Sequence, residues 1–162
     1  TNGADGADGA DGASGTPTVY GNCVLSADQT ALDQSPGTGG TVIGGWTAQS
    51  WSVGFSVGGT NNREISVTTP GIYRYDLTMA ASVPNNGGGM EFQLRDGSGT
   101  DLVCWASYAG NGNRITGNIS GLLNVTNANA GFRVYGYCNS GNGTWDSALH
   151  GVGCSLTLQL VV

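Results

Sequence analysis

The 162-residue chain contains no lysine, and its five arginines stand against eleven acidic residues, which gives a formal net charge of −6. Charged residues make up only 10% of the sequence. A domain that binds nucleic acid needs a basic surface to neutralise phosphates, so this composition argues against nucleic acid as a partner. The sequence also has no run of 18 or more apolar residues, and we therefore expect no membrane insertion.

Histidine is nearly absent as well, since His150 is its single occurrence. It follows Asp146 and Ser147 in the segment TWDSALHGVG, which brings together the residue types of a catalytic triad. Triads assemble from positions that are distant in sequence, however, and this segment lacks the nucleophile-elbow pattern. We interpret His150 as a solvated loop residue and predict that the chain is not an enzyme.

Metal-binding patterns are equally scarce. The four cysteines show no C-x-x-C spacing, which argues against a zinc site. Asp96 and Asp101 flank the glycine-rich segment RDGSGTD, where a calcium site is an alternative to a plain hairpin turn, but the EF-hand spacing is absent. We predict no resident cofactor.

Glycine, in contrast, is abundant, with 30 residues, and near the start of the chain it recurs at every third position. The glycines in register are Gly3, Gly6, Gly9, Gly12 and Gly15. A strict G-x-y period is the mark of the collagen triple helix, in which only glycine fits at the crowded axis, whereas a flexible linker needs no period. We interpret residues 1–17 as the remnant of a collagen-like stalk that requires three chains. Because the repeat lacks proline until Pro17, this stalk should be weak.

The remaining residues, 18–162, have the pattern of an all-β domain. Ten apolar or alternating segments predict strands, and Gly, Asn, Asp and Pro clusters separate them. The predicted strands are 18–26, 41–47, 51–57, 63–69, 71–83, 90–96, 101–109, 114–125, 131–138 and 151–162. We expect a β-sandwich, with an irregular loop between residues 26 and 40.

Two segments of this domain resemble a known family. VTTPGIYRYDLTMAASV (67–83) has a strand that begins Pro-Gly and continues with aromatic residues, and SGLLNVTNANAGFRVYGY (120–137) has two strands joined by a short polar turn. Together with the stalk, they resemble the globular heads of the complement component 1q and tumour necrosis factor superfamily. The resemblance implies an antiparallel jelly-roll β-sandwich that assembles as a homotrimer.

The same resemblance implies that the first and last strands pair beside the stalk. Cys23 and Cys154 would then lie nearly opposite each other, which favours disulfides between Cys23 and Cys154 and between Cys104 and Cys138. The alternative is that all four are buried free thiols, since free cysteine behaves as a small hydrophobic residue.

Binding residues are expected in the loops at the end of the head away from the stalk, because loops carry the functions of such sandwiches. These loops are 61–62, 85–89, 108–114 and 139–150. They combine amides with a few aromatic and charged side chains, a mixture that suits sugar or protein recognition. The predicted ligand-binding residues are Tyr108, Asn111, Asn113, Arg114, Trp145 and His150. The alternative is that Asn and Gly only build turns while Trp145 covers the core.

Three functions are compatible with these features. The first is the receptor-binding tip of a trimeric viral or phage fibre, which would bind a glycan or protein on the cell surface. The second is a structural module that only trimerises the stalk, as in a capsid or spore fibre. The third is a secreted, complement-like recognition protein. All three predict a location on a virion surface or outside the cell.

Overall fold

The computed structural model describes residues 19–30, 41–82, 89–96, 106–109, 114–129, 131–138, 144–145 and 153–161. The predicted stalk, residues 1–17, lies outside the described residues. Within them the chain forms thirteen strands and one short 3-10 turn, Thr60–Asn62. The strands are β1 Tyr20–Leu25, β2 Gln29–Thr30, β3 Thr41–Val42, β4 Trp46–Ala48, β5 Phe55–Gly58, β6 Glu64–Val67, β7 Gly71–Ser82, β8 Gly89–Asp96, β9 Ala106–Ala109, β10 Arg114–Val125, β11 Gly131–Cys138, β12 Thr144–Trp145 and β13 Ser155–Leu160.

The described strands form two antiparallel sheets. The first sheet has the order β2-β12-β7-β13-β1-β4, and β10 pairs with the other edge of β7. The second has the order β5-β6-β11-β8-β9, and β3 also pairs with β11. The fold is therefore the antiparallel jelly-roll β-sandwich that the sequence predicts.

Alternation of apolar and polar residues fixes which face of each strand meets the core. In β7, Tyr73, Tyr75, Leu77 and Met79 are buried, and the residues between them point outwards. A strand alternates its side chains between the two faces, so one face of each sheet supplies the core while the other faces outwards. Trp46 is fully buried in this core, where its indole N–H donates a hydrogen bond to the Ile43 carbonyl at 3.0 Å.

The pairing of β7 with β10, the longest among the described strands, defines two ends of the sandwich. β7 and β10 pair over twelve residues, from Gly71 opposite Val125 to Ser82 opposite Arg114. Val19, the first described residue, lies at the Gly71 end, because its carbonyl accepts a hydrogen bond from the Leu160 N–H and Leu160 pairs with Tyr73. We call this the proximal end and the opposite one, at Ser82, the distal end.

All ten predicted segments contain an observed strand, but the structure adds detail at the short ones. β2 and β12, each of two residues, pair with one another at the edge of the first sheet. Residues 51–54, predicted as strand, form a turn with a single bridge from Val53 to Tyr20, and β5 starts only at Phe55.

The predicted disulfide between Cys23 and Cys154 is wrong, because both residues are free buried thiols. β1 and β13 do pair, as expected, but the register sets Cys23 opposite Leu156. The Cys154 thiol instead contacts the backbone of Ala80, donating to its carbonyl at 3.3 Å. The two cysteines are thus two residues out of register. Cys104 and the side chain of Cys138 lie outside what the structure describes.

Candidate functional site

Several strands end at the distal end, where the sequence predicts the binding loops. The last residue of β7, Ser82, pairs with Arg114 on one side and with Thr144 on the other. Trp145 follows in β12 and pairs with Ala81. The backbones of Arg114 and Trp145 therefore flank the same end of β7.

The remaining predicted site residues are only partly described. Tyr108 lies in β9 and pairs with Met90 at the edge of the second sheet. Asn111, Asn113 and His150 lie outside the described residues, as do the side chains of Tyr108, Arg114 and Trp145. Their role in binding stays a prediction.

The outward face of the first sheet carries an apolar cluster near β10 that the sequence analysis does not identify. Leu122, Val161 and Ile72 expose 68%, 55% and 40% of their surface. Leu122 pairs with Arg74 and Ile72 with Asn124, so Leu122 and Ile72 are diagonal neighbours, and the Val161 N–H donates to the Ile72 carbonyl. We call Ile72, Leu122 and Val161 the β10-side patch.

A second apolar cluster lies on the same sheet at its other edge. Trp51 is 52% exposed, and its ring stacks on that of Tyr20 with centroids 5.9 Å apart and planes inclined by 18°. Val53, also exposed, exchanges two backbone hydrogen bonds with Tyr20. We call Tyr20, Trp51 and Val53 the β1-side patch. A stacked aromatic pair left open to water is a frequent feature of recognition surfaces.

Polar side chains lie between Leu122 and Tyr20, whereas Val161, two residues after Gln159, is a diagonal neighbour of Tyr20. Tyr20 pairs with Gln159, Gln159 with Arg74, and Arg74 with Leu122, so one row across the sheet joins the patches. Further along, the Asn118 amide donates to the Asp76 carboxylate at 2.7 Å. Among the described residues, the exposed large apolar side chains of this face therefore lie in its proximal half.

The outward side of the second sheet holds a cavity of about 340 Å³ next to the 3-10 turn. Its lining residues are Val42, Gly59, Thr60, Arg63, Glu64 and Arg133. Within it, the Arg133 guanidinium donates to the Glu64 carboxylate at 3.2 Å. Arg63 and Arg133 lie in segments that the sequence analysis treats only as strands, and no motif marks them.

Among the described residues, neither shifted pKa values nor clusters of potential metal ligands indicate a functional site. Burial raises the pKa of the Cys23 thiol and of the Tyr73 hydroxyl, and both groups belong to the core. The described ranges contain no group of three or more His, Cys, Asp or Glu residues placed to hold a metal ion. Asp101, half of the calcium alternative, lies outside them. In the same ranges, no helix is both long and apolar enough to cross a membrane.

The architecture is that of a jelly-roll β-sandwich, and tumour necrosis factors of known structure share this fold. The Eiger TNF of S. frugiperda superposes with a TM-score of 0.62 at 10% sequence identity, covering 91% of this chain and 94% of that one. Murine APRIL superposes with a TM-score of 0.60 at 11% identity, covering 88% of this chain and 98% of the other. At such low identity the likeness concerns the fold. No protein-family model and no curated protein matches the chain.

Proposed function

We propose that the chain is the homotrimeric head of a collagen-stalked fibre or spike that binds a receptor on the host-cell surface. Residues 1–17 form the stalk and residues 18–162 the head. The receptor is a glycan or a surface protein, and the protein is located on a virion surface or outside the cell. It acts by binding rather than by catalysis.

The observation that supports the trimer is the pair of exposed apolar patches on the proximal half of one sheet face, one around Ile72 and Leu122 and the other around Tyr20 and Trp51. A closed ring of three copies uses a heterologous interface, in which one surface of a copy meets a different surface of the next. The β10-side patch of one copy can cover the β1-side patch of its neighbour in this way. Both patches adjoin Val19, so assembly through them would bring the three proposed stalks together where they join the head.

Receptor binding is assigned to the distal loops, because trimerisation at the proximal half leaves them accessible. The proposed residues are Tyr108, Asn111, Asn113, Arg114, Trp145 and His150. Amides and aromatic rings of this kind recognise sugars or protein surfaces with little loss of conformational entropy.

A structural module is the second candidate, since the apolar patches account for trimerisation without any ligand. Binding of the recombinant head to host cells or to a glycan array separates the two functions. A head that is trimeric and binds neither is a structural module.

The trimer is tested by light scattering, which should give about three times the 16.3 kDa mass of the chain. Leu122→Asp should dissociate it at micromolar concentration, because a carboxylate would be buried unpaired in the interface. Ser56→Asp introduces the same charge at an exposed position on the second sheet and should leave the trimer intact. A wild-type monomer, or a Leu122→Asp trimer, contradicts the proposal.

A further inference from the structure

Three of the five arginines of this acidic chain lie on the second sheet or at its edge. Arg133 and Arg95 pair directly across β11 and β8, and Arg63 immediately precedes β6. Two of the three have partners. Arg133 is paired with Glu64, and Arg95 donates to the Gln93 side chain at 2.8 Å while its guanidinium lies 4.4 Å from the centre of the Tyr135 ring.

Arg63 is the exception. In the part of the chain that the structure describes, no hydrogen bond or ion pair engages its guanidinium, although it lines the 340 Å³ cavity together with the Glu64–Arg133 pair. The described residues that line the cavity include two arginines and one glutamate, which together carry an excess of one positive charge. The cavity therefore attracts a ligand with a single negative charge.

The 3-10 turn that precedes Arg63 is fixed by a backbone hydrogen bond. The Asn61 carbonyl accepts a hydrogen bond of 2.7 Å from the Gly45 N–H. Asn61 and Asn62 both adopt left-handed backbone conformations, with φ of 57° and 50°, which non-glycine residues rarely do. Asparagine tolerates this conformation better than other non-glycine residues, so the turn can place Arg63 at the cavity without large strain.

Two glycines leave the space that the charged side chains occupy. A Cβ at Gly44 would lie 2.7 Å from the Arg63 Cγ, and one at Gly131 would lie 2.6 Å from the Glu64 Cγ. The stems of Arg63 and Glu64 therefore pack directly against the backbone. This packing limits their conformations, so less entropy is lost when a ligand binds.

We propose that this cavity binds the carboxylate of an acidic sugar. The Arg63 guanidinium would hold the carboxylate through paired N–H donors, a geometry that suits a planar carboxylate better than a lysine would. Glu64, 38% exposed on its side chain, would offer a carboxylate oxygen to sugar hydroxyls, and Thr60 also lines the cavity.

The size and lining of the cavity favour a sugar over a larger apolar ligand. Small-molecule sites begin at about 300 Å³, and this cavity is close to that lower bound. Among the described lining residues, Val42 is the one large apolar side chain, while the arginine donors and the Glu64 acceptor lie side by side, as a polyhydroxylated ligand requires. Glu64 would also repel a doubly charged phosphate.

The proposal that the cavity binds a carboxylate depends only on these contacts. The further step, that the cavity is used to bind a receptor, rests on the proposed function. The test therefore uses a soluble sugar and does not depend on trimer formation or on cell binding. Calorimetric or NMR titration of the full chain with methyl β-D-glucuronide should show saturable binding at one site per chain. Methyl β-D-glucoside, which has no charge, should bind at least about tenfold more weakly. If the two sugars bind equally, or neither binds, the proposal is wrong.

Variants locate the site. Arg63→Gln should weaken glucuronide binding about tenfold or more, because it removes the free guanidinium. The affinity of Arg63→Lys should lie between those of the wild type and Arg63→Gln, since lysine keeps the charge without the paired donors. Thr47→Glu, at an exposed position on the other sheet, lowers the net charge by the same amount as Arg63→Gln and should have little effect. Equal losses in Arg63→Gln and Thr47→Glu would show a general charge effect and overturn the site.

Glucose 6-sulfate provides a further arm, because it also carries one negative charge. Weaker binding than the glucuronide supports a carboxylate site. Tighter binding overturns that assignment in favour of a sulfate. Because Arg63 is exposed, its variants should unfold at the wild-type temperature, and a matching melting curve confirms that a loss of binding is local.

Discussion

Among single residues, Gly21 shows how closely β5 approaches β1 across the core. A Cβ at Gly21 would lie 2.3 Å from the Phe55 Cγ, far inside van der Waals contact. We predict that Gly21→Ala lowers the free energy of unfolding by about 1–3 kcal/mol, the usual cost of overpacking a core. Thermal or denaturant unfolding measures this.

Gly58 provides the matched control. A Cβ there meets no atom within 4 Å, and its backbone is not in the left-handed region. Gly58→Ala should therefore leave stability unchanged or raise it slightly by reducing the entropy of the unfolded chain. Similar losses in both variants would mean that the close approach of Gly21 to Phe55 is not what limits the substitution.

Labelling of the Cys23 thiol tests whether this residue is free, as in the structure, or joined in a disulfide. The residue is completely buried, and burial raises the pKa of its thiol well above the ordinary value. Because the thiolate is the reactive form, we predict that iodoacetamide at pH 8 does not label Cys23 in the folded protein and labels it after unfolding without reductant. Mass spectrometry of digested protein measures the labelling.

The measurement is best made on the double variant Cys104→Ser/Cys138→Ser, because only Cys23 and Cys154 then remain to react. Failure to label the unfolded, unreduced variant would mean that the two cysteines are joined after all. The sequence could not decide this point. The family resemblance implies that β1 and β13 pair, but the register, and hence the offset of Cys154 from Cys23, is set by how β13 pairs with β1 and with β7.

Among the elements, the long strands were predictable and the short ones were not. Alternation over twelve residues identifies β7 and β10, because a half-buried strand must repeat every two residues. β2 and β12 have two residues each, too few to show a period, and they form because β12 pairs with β7 on one side and with β2 on the other. The turn at Trp51 was missed for a related reason, since its apolar residues imitate a strand while remaining exposed.

Recognition is predicted at the distal strand ends, where Trp145 lies in β12. We expect Trp145→Ala to weaken binding to host cells or to an arrayed glycan about fivefold to one hundredfold, as removal of an aromatic anchor does, while the trimer and its melting temperature stay nearly unchanged. Surface plasmon resonance and a melting curve on the same sample measure both effects.

Trp46 is the contrasting position, because it is completely buried and hydrogen-bonded in the core. Trp46→Ala should cost about 3–5 kcal/mol of stability. If Trp145→Ala behaves in the same way, with binding lost only in proportion to folded protein, Trp145 belongs to the core. Tyr108, Asn111, Asn113 and Arg114 would then be the next residues to replace.

For the whole molecule, the sequence predicted the architecture better than the binding surfaces. A fold follows from many weak signals of the same kind, such as alternation and turn residues, and these accumulate along the chain. The cavity at Arg63 and the two apolar patches depend on a few residues brought together from different strands. Leu122 and Val161, for example, are 39 positions apart in the sequence and meet only through β7.

The relation between stalk and head gives the last prediction. Deletion of residues 1–17, the proposed stalk, should leave the proposed trimer intact, because we assign the association energy to the two apolar patches of the head. The stalk has only five G-x-y glycines and lacks the prolines that favour the triple helix. Three copies would also bring together Asp5, Asp8 and Asp11 of each chain, with no lysine to neutralise them.

Light scattering and the melting temperature of the deletion variant, compared with the full chain in the same buffer, measure the outcome. The head should trimerise first, and the triple helix should then form because three chain starts are held close together, which raises their effective concentration. A monomeric deletion variant would reverse this order and assign trimerisation to the stalk. Leu122→Asp distinguishes the two cases in the full chain, because it would leave a stalk-driven trimer intact.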